Sequence, residues 1–149
     1  MSNKTFALEG LLKLRQLKKD QAVQELRSQA SGLTKAQDEL AGIDGEIADI
    51  SNRWKDSGEE VRGAEGMIES RQYLARLDRL GDSHREGIAK LILEIEDARK
   101  KLDVAMHQHQ VVERMKNRLV RVRRQRRESR EVQALDEQSQ SRHRGNQEE

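Results

Sequence analysis

Residues 26–54 read LRSQASGLTKAQDELAGIDGEIADISNRW. Steps of three and four from Leu26 land on Gln29, Leu33, Ala36, Leu40, Ile43, Ile47, Ile50 and Trp54. Carried toward the N-terminus, the same steps meet Ala22, Lys19, Arg15, Leu12 and Leu8. This spacing places all fourteen residues on one stripe of an α-helix. Eleven of them are apolar, against 34% apolar residues in the whole chain, so the pattern is not a product of composition. A stripe two positions wide per heptad suits the seam of a coiled coil better than a globular core. Arg15, Lys19 and Gln29 interrupt it, either riding along the seam or loosening it locally.

A second stripe follows. Leu74, Leu77, Gly81, His84, Ile88, Leu91, Ile95, Ala98, Leu102, Ala105, His109 and Val112 hold one register. After Val112 the apolar residues shift to Met115, Leu119 and Val122, a slip expected to change the local winding. Between the stripes lie Gly58, Gly63 and Gly66. Each glycine disfavours helix by about 1 kcal/mol relative to Ala, so a turn is expected there. These signals predict an all-α fold, a long two-helix antiparallel coiled-coil hairpin with a longer second helix. Helix one is expected over about 5–56, the hinge over about 57–67 and helix two over about 68–138, with 139–149 a frayed or disordered tail of one coiled-coil domain. At about 1.5 Å per residue helix one extends on the order of 75 Å. The rival architecture is one long helix dimerising in parallel, which the glycine cluster and the matching seams disfavour.

Composition narrows the function. Charged residues make up 38% of the 149, and there is one Phe, one Trp and one Tyr. Such a chain lacks the side chains of a three-dimensional core but has enough Leu, Ile, Val and Ala for a seam. It has no Pro to break a helix and no Cys for disulfides, thiolate metal sites or cysteine nucleophiles. No apolar run approaches the roughly 20 residues of a membrane span, and Met1 to Thr5 lead into no signal-peptide core. A soluble cytoplasmic protein is expected.

The net charge of +2 hides a separation. Residues 38–69 carry ten acids and three bases, net −7, whereas residues 111–130 carry nine bases and two acids, net +7. Residues 1–30 add six bases against three acids. An antiparallel hairpin brings both basic segments to the same end, where like charges repel. For any single arginine the plain reading is a solvated helix face. For the cluster, a partner relieves the repulsion: an acidic protein surface, phospholipid or nucleic acid. Nucleic acid is the weakest of these, because no aromatics interleave the arginines to stack bases and no nucleic-acid-binding motif is present.

No catalytic arrangement is legible, and an enzyme is not expected. There is no phosphate-binding loop of the G-x-x-x-x-G-K type. His107 and His109 point to different helix faces, and His109 with Glu113 supplies only two ligands, too few for a metal site. Neither metal nor cofactor is expected. Tyr73 and Leu80 lie off the seam register and, with Leu77 and His84, form a line at 73, 77, 80 and 84. They either pack against the hinge segment or offer a contact patch to another protein.

Three stretches carry a resemblance: Phe6-Ala7-Leu8-Glu9-Gly10-Leu11-Leu12-Lys13-Leu14-Arg15, Gln72-Tyr73-Leu74-Ala75-Arg76-Leu77-Asp78 on to His84-Arg85, and Glu113-Arg114-Met115-Lys116 on to Leu135-Asp136-Glu137. The chain resembles the FliJ family, soluble components of the bacterial flagellar protein export apparatus, similar to the YscO-type stalk proteins of injectisomes. The resemblance implies a fold like the central stalk of rotary ATPases. It also implies three partners: the export ATPase hexamer, the cytoplasmic domain of the export gate membrane protein, and export chaperones. The location implied is cytoplasmic, peripheral to the inner-membrane export apparatus. On this resemblance the gate-binding patch falls on Tyr73, Leu77, Leu80 and His84, with Glu39, Ile43 and Ile50 on helix one. Where the family often has aromatics, this chain has Glu46 and Ile50. The helix ends that enter the ATPase ring correspond to Leu8, Leu12, Arg15, Lys19, Arg118, Arg121, Arg123, Arg124, Arg126 and Arg127. The alternative is a scaffold coiled coil or holding chaperone unrelated to an ATPase.

Overall fold

The computed structural model describes residues 3–57 and 63–148. Two helices account for nearly all of them, α1 at Asn3–Ser57 and α2 at Gly63–Gln147, packed against each other as a hairpin with no strand among the described residues. Every one of the fourteen seam positions expected on α1 is half-buried, and all twelve expected on α2 are buried or half-buried. Leu77, Ile95, Ala98 and Val112 are the most enclosed apolar residues. Burying one such aliphatic side chain is worth about 1.5–3 kcal/mol. A surface ion pair adds about 0.2–0.5 kcal/mol, so the seam dominates stability.

Along the hairpin the chain divides into two compact units. Unit 1 comprises Met1–Lys19 and Val104–Glu149, and unit 2 comprises Asp20–Asp103. In a two-helix pair each turn touches only the facing turn, so no shared core ties all turns together. Both units are antiparallel. In unit 1 Arg15 Nη1 donates to Gln108 Oε1 at 2.7 Å and Lys116 Nζ lies 3.9 Å from Glu9 Oε1. In unit 2 Lys101 meets Glu25, His84 meets Glu39 and Arg85 meets Asp44. Sequence numbers rise on one helix as they fall on the other.

Three expectations need adjustment. The register does not slip after Val112. It continues through Lys116, Leu119 and Arg123, all half-buried; of the expected shifted line Leu119 and Val122 are half-buried too, while Met115 is 52% exposed beside the seam. A lysine suits that position because its stem packs while its amine reaches Glu9. The helix also extends further than the glycines imply: residues 63–67, expected in the hinge, are helical, and only 58–62 of the hinge lie outside the described residues. Residues 139–147, expected as a frayed tail, are helical too, with every side chain from Arg124 to Glu148 exposed. Extending an existing helix avoids the cost of nucleation, and no proline stops it. Gly63, the first residue of α2, has φ of 63°, a left-handed geometry that favours glycine.

Gly81 is buried against α1. A Cβ there meets Arg85 Nη1 at 3.5 Å, Ile43 Cγ2 at 3.7 Å and Leu40 Cδ1 at 3.8 Å, all ordinary van der Waals separations. Gly81→Ala therefore fits and adds helix propensity of about 1 kcal/mol. Thermal unfolding followed by circular dichroism should show a midpoint raised by about 2–4 °C. A lowered midpoint contradicts this packing.

Candidate partner-binding surfaces

Unit 2 assembles the residues expected to form a patch. On α1, Glu39, Ile43, Glu46 and Ile50 are spaced four, three and four, hence on one side of the helix. On α2, Tyr73, Leu77, Leu80 and His84 are spaced four, three and four likewise. The His84 Nδ1 lies 3.8 Å from Glu39 Oε2, and Ile43 packs at Gly81. The Tyr73 hydroxyl donates to a Glu46 carboxylate oxygen. The two halves of the patch are thus in register across the seam.

They do not present themselves equally. Tyr73, Leu80 and Glu39 are exposed, and His84, Ile43 and Ile50 are half-buried. Leu77 is only 7% exposed and belongs to the core of the pair. It supports the patch rather than forming its surface. Beside Tyr73 is an open cavity of about 490 Å³ lined by Glu46, Asp49, Ile50, Arg53, Glu69 and Ser70. The hydrogen bond to the Glu46 carboxylate holds the Tyr73 phenol above its ordinary pKa of 10.0. Desolvation and the negative charge of Glu46 act in the same direction, and Arg76 opposes them.

Sequence reading missed Glu46 as the partner of Tyr73, and Asp44 with Asp82 as the clamp on Arg85. Arg85 Nη2 donates to Asp44 Oδ1 at 3.0 Å and its Nη1 to Asp82 Oδ1 at 2.9 Å. An antiparallel pair gives only a coarse signal, because the sums of facing residue numbers scatter from 119 for Glu46 with Tyr73 to 129 for Asp44 with Arg85.

Unit 1 gathers the other set. Leu8, Leu12, Arg15 and Lys19 are half-buried along the seam of α1. Arg118, Arg121, Arg124, Arg126 and Arg127 are exposed on α2, whereas Arg123 is half-buried at a seam position. Arg124 Nε sits 3.2 Å from Glu128 Oε1, one turn on. Counting Lys and Arg against Asp and Glu, unit 1 has 16 against 8, net +8, and unit 2 has 13 against 19, net −6. An apolar groove of about 520 Å³ runs between the helices of unit 1, floored by Ala7, Leu8, Met115, Leu119 and Val122 and flanked by Lys4 and Arg118. Among the described residues no three His, Asp or Glu side chains gather as a metal site. None of the described helices is long and apolar enough to cross a membrane.

Comparison with known families settles the lineage, since residues 3–148 match the family described as Flagellar FliJ protein. The chain belongs to the FliJ family. As a FliJ-family protein it is a component of the flagellar protein export apparatus, and the family is non-enzymatic. No curated protein and no solved structure matches the chain.

The single tyrosine makes the patch measurable. Its ultraviolet absorbance should titrate with a midpoint above 10.0, and Glu46→Gln should lower that midpoint, because the neutral amide no longer stabilises the protonated phenol. A midpoint unmoved by Glu46→Gln dissociates the two side chains in solution.

Proposed function

We propose that this FliJ-family chain is a non-catalytic coupling element of export, acting as a stalk between the export ATPase hexamer and the export gate. Unit 1 engages the ATPase ring, whose lumen on this reading is acidic. The observation that carries the assignment is the concentration of positive charge in unit 1, net +8 in a chain of net +2. Complementary charge accelerates encounter and selects partners more than it raises affinity. It suits an element that engages and disengages repeatedly.

The gate contact falls to unit 2. Tyr73 and Leu80 are the exposed apolar members of the patch, with Glu39 and His84 as polar neighbours. Leu77 and Gly81 hold the patch against α1. Export chaperones are the third partner on this reading, with no site assigned to them. The location is the cytoplasmic face of the inner membrane, reached through the gate rather than through a segment of this chain.

The test separates the two surfaces. Reversing Arg121, Arg124, Arg126 and Arg127 to Glu should weaken binding to the purified export ATPase about tenfold or more at low salt, with helicity unchanged because all four are exposed. The wild-type affinity should itself fall as salt rises, since exposed charges are screened over about 8–10 Å. Tyr73→Ala with Leu80→Ala should weaken binding to the gate's cytoplasmic domain and leave stimulation of the ATPase intact. Leu77 is avoided because truncating a core leucine unfolds rather than probes. ATPase binding that is indifferent to the four reversals and to salt overturns the assignment of unit 1.

A further inference from the structure

Unit 1 carries a second apolar line on each helix, beside the seam. On α2, Val104, Val111, Met115 and Val122 are spaced seven, four and seven, which keeps them on one face. Val104 is 56% exposed, and Val111 and Met115 are also exposed. On α1, Ala7, Leu11 and Leu14 are spaced four and three, with Leu14 exposed and Leu11 half-buried. The groove that joins Ala7 to Met115 and Val122 places the two lines on the same side of the pair. Meanwhile the seam of unit 1 is interrupted by Arg15, Lys19, His109 and Lys116. Apolar side chains thus stand exposed while polar ones occupy the seam, an arrangement that leaves burial incomplete with two helices.

The rims of this face are cationic. Lys4 and Lys18 continue the α1 line at either end, and Arg114, Arg118 and Arg121 line the outer side of α2. The nearby acids are already engaged: Glu9 pairs with Lys116, and Glu113 lies 3.8 Å from the His109 imidazole.

We propose that this face receives a third helix, an acidic amphipathic one from a partner protein, completing a three-helix coiled coil in unit 1. Heptad-like spacing on both helices matches the knobs of a facing helix, and a groove floored by aliphatic side chains with cationic edges selects apolar anchors flanked by Glu and Asp. A lipid surface fits less well, because the face has no Trp or Tyr of the kind that anchors at headgroups. The unit 1 of a second copy is disfavoured by charge, since each carries net +8. The inference rests on the apolar face beside the seam, whose rim shares Arg118 and Arg121 with the arginine run, and stands whether or not the partner is the ATPase.

The probe is a labelled synthetic helix of about four heptads with Leu and Ile at the core positions and Glu at the flanking ones. A counterpart has Lys at the flanking positions. Fluorescence anisotropy with the full-length chain should show saturable binding of the acidic helix and none of the basic one. Leu14→Asp with Met115→Asp should weaken it about tenfold or more, by removing two apolar contacts. Both side chains are exposed, so the circular dichroism spectrum should be unchanged. Val132→Asp, where α2 has no apolar neighbours from α1, should leave binding as in the wild type. Equal binding of both probes, or binding unaffected by the double substitution, overturns the proposal. So does retention on phosphatidylglycerol vesicles that the double substitution abolishes, which assigns the face to a membrane. So too does a dimer in sedimentation that the same substitution dissolves, which assigns it to a second copy.

Discussion

Burial in this protein happens along a line. With 34% apolar residues and three aromatics, the chain has no means of enclosing a volume, and two helices share one strip of aliphatic side chains instead. Each turn is stabilised by the turn it faces and by little else. A polar residue in the strip therefore has a local effect. Arg15 bonds Gln108 through Nη1, its Nε is buried without a partner, and the pairing continues on either side. The same narrowness leaves the flanks of the seam open, and Tyr73, Leu80, Val104 and Met115 stand exposed there beside the strip that holds the helices together.

Charge gives the two units different character without contributing much to their folding. Cross-helix contacts such as Arg85 with Asp44 and Lys101 with Glu25 involve exposed side chains, and pairs of this kind stabilise by roughly 0.2–1 kcal/mol. Their value lies in register, since a charged pair penalises neighbouring staggers that bring like charges together. The larger consequence is at a distance. A net +8 in one unit and −6 in the other gives the two units fields of opposite sign, and complementary charge selects partners more than it raises affinity.

The surface of unit 2 exposes two large apolar side chains without disturbing the coiled coil beneath them. Leu77 and Gly81 stay in the seam, and Tyr73 and Leu80 turn outward. Glu46 orients the Tyr73 ring by accepting a hydrogen bond from its hydroxyl, so an aromatic side chain on an exposed face is tethered to the facing helix. Preorganisation of this kind lowers the entropy lost on binding.

Helix content and the two stripes were legible in the residue order, down to the exposure of Tyr73 and Leu80. The heptad spacing survives as burial at each of its twenty-six positions, because the period of a helix is a local property that each residue's neighbours enforce. Family membership was legible too, in three short stretches distributed along the chain. Other features depended on how the helices meet. Lys116 rather than Met115 holds the seam, Glu46 rather than a more distant acid meets Tyr73, and the lines at Val104–Val122 and Ala7–Leu14 fall on one face. These follow from the stagger of α1 against α2, a sum of many weak contacts between residues far apart in sequence, and no single segment encodes that sum.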